Sequence, residues 1–181
     1  LQDSDQLMPA TTYKQLLRTP SVPWLLATSV VGRFNQGMIG LALLLLVTQH
    51  SSYAVAGAVS AAYLVGGCFA GPVLSRLADV RGRRPVLAVS AALFALALGA
   101  LASVPERPIL LGFFALLAGL CTPPLTASIR AVLPALVDTE QRRSVFALES
   151  TVQELIFVLG PPITAGLAAL GGPRLSVAAA G

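Results

Sequence analysis

Long apolar runs broken by short polar connections set the pattern of this chain. After a polar opening at 1–20, apolar runs occupy about 24–47, 53–78, 85–104, 109–136 and 144–170, and a further run opens at 174 and reaches Gly181. Each of the first five is long enough to cross a bilayer as a helix, which takes about 20 residues. The connections carry turn-forming residues: His50-Ser51-Ser52, the stretch around Gly82, Pro105-Glu106-Arg107-Pro108 and Gly171-Gly172-Pro173-Arg174. Pro20 and Pro23 set the entry to the first run, with Trp24 at headgroup level, and Pro123-Pro124 interrupts the fourth. The pattern predicts an all-α polytopic membrane bundle with five complete spans and the start of a sixth. Residues 1–20 form a cytoplasmic or interfacial segment with a short amphipathic stretch at 13–18, and 21–181 form the transmembrane bundle. The unit reads as six helices whose last is missing or cut.

Composition agrees. Hydrophobic residues make up 55% of the chain and charged residues 11%, against about 25% charged in a soluble domain. Too little polar surface exists to cover a water-facing globule, so the bilayer is the solvent. The net charge of +4 does not point to nucleic acid, because the basic residues sit in short loops and no aromatic residues interleave with them. They orient the helices instead. Lys14, Arg18, Arg76, Arg81, Arg83, Arg84, Arg142 and Arg143 fall on one side of the alternating connections, and only Arg107 and Arg174 on the other. The positive-inside rule then places the N-terminus in the cytoplasm of a multi-pass protein of the inner or plasma membrane. Cys68 and Cys121 lie within apolar runs and read as small buried thiols. No phosphate-binding loop, nucleophile elbow or metal-ligand spacing is present in the sequence, so no enzyme activity, catalytic residue, cofactor or metal site is expected.

Ionisable residues inside spans are the positions to ask about, since each costs about 2.5–3.5 kcal/mol at a helix centre unless it faces a cavity or a partner. Four occur: Arg33, Arg130, Glu149 and Glu154. Arg33 and Glu154 each lie about 15 Å from the cytoplasmic edge at 1.5 Å per residue, and Arg130 and Glu149 match at a shallower depth. Depth thus pairs Arg33 with Glu154 and Arg130 with Glu149. A polar seam supports this: Thr122, Thr126 and Arg130 on the fourth span, Glu149, Gln153, Gly160 and Thr164 on the fifth, and Arg33 with Gln36, Gly37 and Gly40 on the first. Arg33, Gln36, Arg130, Glu149, Gln153 and Glu154 are therefore the candidate lining of an intramembrane path; structural ion pairing is the alternative. Gly67 and Gly71 are spaced for close helix packing in the second span.

Between the second and third spans runs Ser75-Arg76-Leu77-Ala78-Asp79-Val80-Arg81-Gly82-Arg83-Arg84-Pro85. It resembles the signature loop of the major facilitator superfamily, in which a Gly, an Asp, a basic residue and a Gly-Arg-Arg or Gly-Arg-Lys run occupy this connection. Asp79, Gly82, Arg83 and Arg84 match; Ser75 replaces the usual Gly and Val80 the usual basic residue. Gly82 permits a tight turn, and Asp79, Arg81, Gly82, Arg83 and Arg84 form a candidate conformational-switch loop. In the fifth span Gly160-Pro161 resembles an element of exporters in the same family and predicts a helix kink, though Thr164-Ala165 replaces the paired glycines found there.

The resemblance implies one half of a secondary active transporter that moves a small solute, as an exporter. Halves in this family are parallel repeats with the site between them, so a second half is implied, from a homodimer, a separate partner or a longer chain. The expected partners are membrane lipid, a small-molecule substrate and that second half. The alternative is a non-transporting half-transporter module that binds lipid or assists another membrane protein.

Overall fold

The structure is a computed structural model, and it describes residues 21–105, 107–132 and 142–181. The interfacial stretch at 13–18, the end of the fourth run and the loop residues Asp138 and Glu140 lie outside the described residues. Seven helices are described: α1 (Ser21–Thr48), α2 (Tyr53–Arg81), α3 (Arg83–Ser103), α4 (Pro108–Leu120), α5 (Leu125–Val132), α6 (Arg142–Gly171) and α7 (Pro173–Ala179). Five stretches are long and apolar enough to cross a membrane: Ala27–Thr48, Tyr53–Arg81, Arg83–Ser103, Pro108–Val132 and Arg142–Gly171. The described residues thus form an all-α bundle of five spans, with α7 as the start of a sixth.

The connections are as short as the residues permit. Ser52 caps α2 by accepting from the Val55 amide at 3.4 Å, which satisfies one of the donors that a helix start leaves open. Gly82 alone separates α2 from α3 and adopts φ +92°, a conformation that side chains disfavour. In the fourth span Pro123 and Pro124 divide the helix. The ladder closes at Cys121, whose amide donates to Leu117 at 3.0 Å, and resumes with the Ser128 amide donating to Pro124 at 3.1 Å. A proline has no N–H to continue the ladder, so α5 is free to take its own direction. Pro161 and Pro162, by contrast, lie within α6, which continues to Gly171.

α1 is the central element: it packs against α2, α5, α6 and α7. Its outer half supplies Met38, Ile39, Ala42, Leu43, Leu46 and Val47 to a core shared with Phe94 and Leu98 of α3 and Leu111 and Ala115 of α4. Phe69, Leu96, Ile109 and Leu170 face outward, where hydrocarbon is as good a solvent as the core. Burial of apolar surface therefore does little to hold the helices together, and close packing must do so.

Two glycine crossings provide that packing. A Cβ added to Gly160 of α6 would lie 2.7 Å from the Cα of Gly37 in α1, and one added to Gly119 of α4 would fall on the carbonyl oxygen of Tyr63 in α2. Neither backbone can yield. The α2–α4 crossing uses Gly66 and Gly119, with Gly67 alongside; Gly71 faces open space. The Gly67/Gly71 pair expected from spacing is therefore only half correct, because the facing helix decides which glycine is needed. Thr164 adds to the α1–α6 seam, its hydroxyl donating to the Gly160 carbonyl at 2.8 Å and pointing to the Met38 carbonyl at 3.4 Å. Ser176 of α7 donates to the Thr164 carbonyl at 3.0 Å, which ties the start of the sixth helix to the same place.

Two substitutions in one helix test the packing account. Gly119→Ala places a methyl against backbone and should cost about 1–3 kcal/mol, while Gly112→Ala meets nothing within 4 Å and should be neutral or gain up to about 1 kcal/mol from helix propensity. Unfolding titrations of the two variants in mixed detergent micelles give the comparison; equal effects would refute it.

Candidate functional site

The basic end of the bundle is organised around one carboxylate. Glu149 of α6 is fully buried. Its Oε1 accepts from Arg33 Nη1 at 2.5 Å, and its Oε2 accepts from Arg130 Nε and Nη2, each at 3.3 Å. Arg33 comes from α1 and is fully buried, whereas the Arg130 side chain on α5 is 51% exposed. One glutamate thus joins three helices. A carboxylate can serve two guanidinium groups because it carries about four lone-pair sites, and bonds between charged groups are roughly twice as strong as neutral ones.

This arrangement corrects the pairing expected from depth. Arg33 does not meet Glu154; it shares Glu149 with Arg130. Depth along a span is one coordinate, and rotation about the helix axis is the other. Glu154 lies five residues beyond Glu149, about 140° further round at 100° per residue, and that turn carries it to the exposed face of α6. Among the described residues Glu154 makes no ion pair. The polar seam on the fourth span also breaks, since Thr122 lies in the gap between α4 and α5 and no continuous helix relates it to Thr126 and Arg130.

The cluster retains open polar atoms. Arg33 Nε and Nη2, Gln153 Oε1 and Ser29 Oγ are buried without a protein partner among the described residues. Gln153 follows Glu149 by one turn on α6. Two guanidinium groups and one carboxylate leave one net positive charge in the cluster.

A cavity of about 430 Å³ opens on one face of the bundle. Gln36 of α1, Ser60 and Tyr63 of α2, Thr122 just after α4 and Phe157 of α6 are among its lining residues, and the Thr122 hydroxyl donates to the Ala118 carbonyl at 3.2 Å. Glu154 stands three residues before Phe157, about 60° away on the same exposed side of α6. Sequence reading reached Gln36 but missed Ser60 and Tyr63. Their i, i+3 spacing in a span with few polar residues was the available signal. Asn35 lies round α1 from Gln36, lining a cavity of about 810 Å³ with Phe34, Phe94 and Gly181.

The loop between α2 and α3 is tied to the cluster through α5. Arg83 Nη2 reaches Asp79 Oδ1 at 3.5 Å across Gly82, and its Nη1 donates to the Ser128 carbonyl of α5 at 3.2 Å. Ser75, Ala78, Ala127 and Ala131 are small enough for α2 and α5 to approach, leaving a cavity of about 130 Å³. Two residues after Ser128, Arg130 reaches Glu149. The loop and the buried carboxylate therefore both hold the stretch of α5 around Ser128 and Arg130. Arg81 and Arg84 are exposed, as is Val80, so the charge that Val80 lacks falls on the outer surface and not in this link.

Removing the shared carboxylate strands a buried arginine. Glu149→Gln should cost about 3–5 kcal/mol, and Glu154→Gln, at an exposed site, should stay within about 0.5 kcal/mol. Unfolding titrations in detergent micelles measure both. A Glu154→Gln loss as large as that of Glu149→Gln would contradict the geometry.

Comparison with known proteins fits this architecture. Residues 25–181 match the family model for the Major Facilitator Superfamily. The chain is 28% identical over 172 residues to the uncharacterized MFS-type transporter y4rN of Sinorhizobium fredii. The match covers 92% of this chain and 42% of the relative, so the chain spans less than half of that protein's length. No solved structure matches the chain. With five apolar spans in place and Asp79, Gly82, Arg83 and Arg84 in the connection between the second and third, the chain belongs to the major facilitator superfamily.

Proposed function

We propose that the chain forms one half of a secondary active transporter, and that its path runs along the face bearing Gln36, Tyr63, Thr122 and Glu154. One observation carries this reading. Glu154 is exposed near the middle of α6 and makes no ion pair among the described residues, and three residues further on Phe157 lines a mainly apolar cavity that also takes in Gln36, Ser60, Tyr63 and Thr122. A carboxylate facing hydrocarbon at that depth would cost about 2.5–3.5 kcal/mol, so water or a second half must cover that face.

The two glutamates then divide the work. Glu149 is held by two arginines and serves as a structural anchor. Glu154 meets the path and is the group that binds solute or exchanges a proton. Arg83, Asp79 and α5 form the switch: a shift of the loop moves Ser128 and, two residues on, Arg130, changing one of the two contacts that hold Glu149. The second half is a second copy or a separate partner, related to this one as parallel repeats are. Gly160-Pro161 leans the direction towards export, and the distribution of Lys and Arg places the N-terminus in the cytoplasm of the inner or plasma membrane.

Thiol accessibility tests the path without knowledge of the solute. With Cys68 and Cys121 replaced by serine, Glu154→Cys in native membranes should react with a charged methanethiosulfonate at least about tenfold faster than Leu96→Cys, because Leu96 faces outward on the apolar surface and a charged reagent does not enter hydrocarbon. Equal rates would remove the path. Only monomers on cross-linking, together with no uptake or efflux in proteoliposomes, would remove the transporter reading itself.

A further inference from the structure

A second groove, about 250 Å³ in volume, lies between α2, α3 and the end of α4. Leu74 and Leu77 of α2, Val86 and Val89 of α3 and Cys121 form its wall, and Arg81 stands at its mouth. The groove follows α3 from Pro85 to Leu93, a rise of about 12 Å. It therefore runs from the helix end at Gly82 towards the middle of the span. Val89 and Leu93 are exposed at its rim, and Val73 of α2 and Leu96 of α3 beside it also point outward. It opens onto the apolar surface of the bundle.

Its polar inventory is short. The only side-chain hydroxyl in the lining is Ser90, and that already donates to the Val86 carbonyl at 2.7 Å. Arg81 is different: it is exposed and makes no hydrogen bond or ion pair among the described residues, while Arg83 in the same loop is committed to Asp79 and Ser128. A small polar solute would find nothing to hold it along the walls. An aliphatic chain would find a slot of matching depth, and an anion attached to it would arrive at an uncommitted guanidinium, a group that pairs well with phosphate. Arg76 and Arg84, both exposed at the same end, add to the local positive field, as in basic pockets between membrane helices that hold anionic headgroups.

We propose that this groove seats one acyl chain of an anionic glycerophospholipid, with its phosphate against Arg81. Occupancy would fill the space between α2 and α3 beside the Gly82 turn, so the lipid would act on the loop from the membrane side. The site does not depend on the transport reading.

Native mass spectrometry of the purified chain from mixed micelles of phosphatidylglycerol and phosphatidylcholine tests it. The chain should retain phosphatidylglycerol in preference to phosphatidylcholine. Arg81→Gln should lower that retention about fivefold, the effect expected of one basic residue at a headgroup, while Arg84→Gln, exposed but outside the groove lining, should lower it less. Val89→Trp, at an exposed position, fills the groove and should reduce retention of both lipids with the helical circular dichroism unchanged. No preference for phosphatidylglycerol, equal losses in the two arginine variants, or full retention in Val89→Trp would each overturn the proposal.

Discussion

A single carboxylate buried among three helices governs the basic end of this bundle. Glu149 is held by Arg33 from α1 and Arg130 from α5, and the two buried members, Arg33 and Glu149, would each be costly without a partner. An arginine in hydrocarbon must be paired, a glutamate likewise, and only contact between helices can arrange it. Since apolar burial adds little between helices in lipid, the ion cluster at one end and the glycine crossings along the seams carry much of the specificity of assembly. Gly37 against Gly160 brings the backbones of α1 and α6 into contact, and that approach seats Arg33 beside Glu149.

The proline break in the fourth span gives the cluster its second consequence. An unbroken helix would fix Arg130 relative to α4. The interruption at Pro123 and Pro124 lets α5 lie against both the loop and α6, with Arg83 on its Ser128 carbonyl and Glu149 on its Arg130. Interfaces with discrete arrangements are what transmit small local shifts. The loop and the buried carboxylate thus both bear on the stretch that begins at Leu125.

Much of this was legible in the linear sequence, and the remainder fails for definable reasons. The spans followed from run length, because few segments other than membrane helices stay apolar for 20 residues or more. Pro123-Pro124 announced its interruption, and Gly82 its turn, since each rests on local chemistry. The partner of Arg33 did not follow: depth can be counted from the span ends, but rotation about the axis is set by packing, and Glu149 and Glu154 differ mainly in rotation. Gly66 was overshadowed by the Gly67/Gly71 spacing because the need for a glycine arises from the backbone opposite, here Tyr63 and Gly119. Ser60 and Tyr63 escaped attention for a similar reason, as uncharged polar residues reveal a cavity only when the helices facing them are placed.

The claim that Glu149 and Arg33 stabilise each other across the bundle is open to a double-mutant cycle with Arg33→Met and Glu149→Met, read by unfolding titration in detergent micelles. If the pair is as described, Glu149→Met strands the buried Arg33, while Arg33→Met leaves Glu149 with Arg130 alone. The double variant, with both charges gone and Arg130 able to turn towards water, should then be more stable than Glu149→Met alone by at least about 1 kcal/mol. Losses that simply add, leaving the double variant the least stable of the three, would contradict the account.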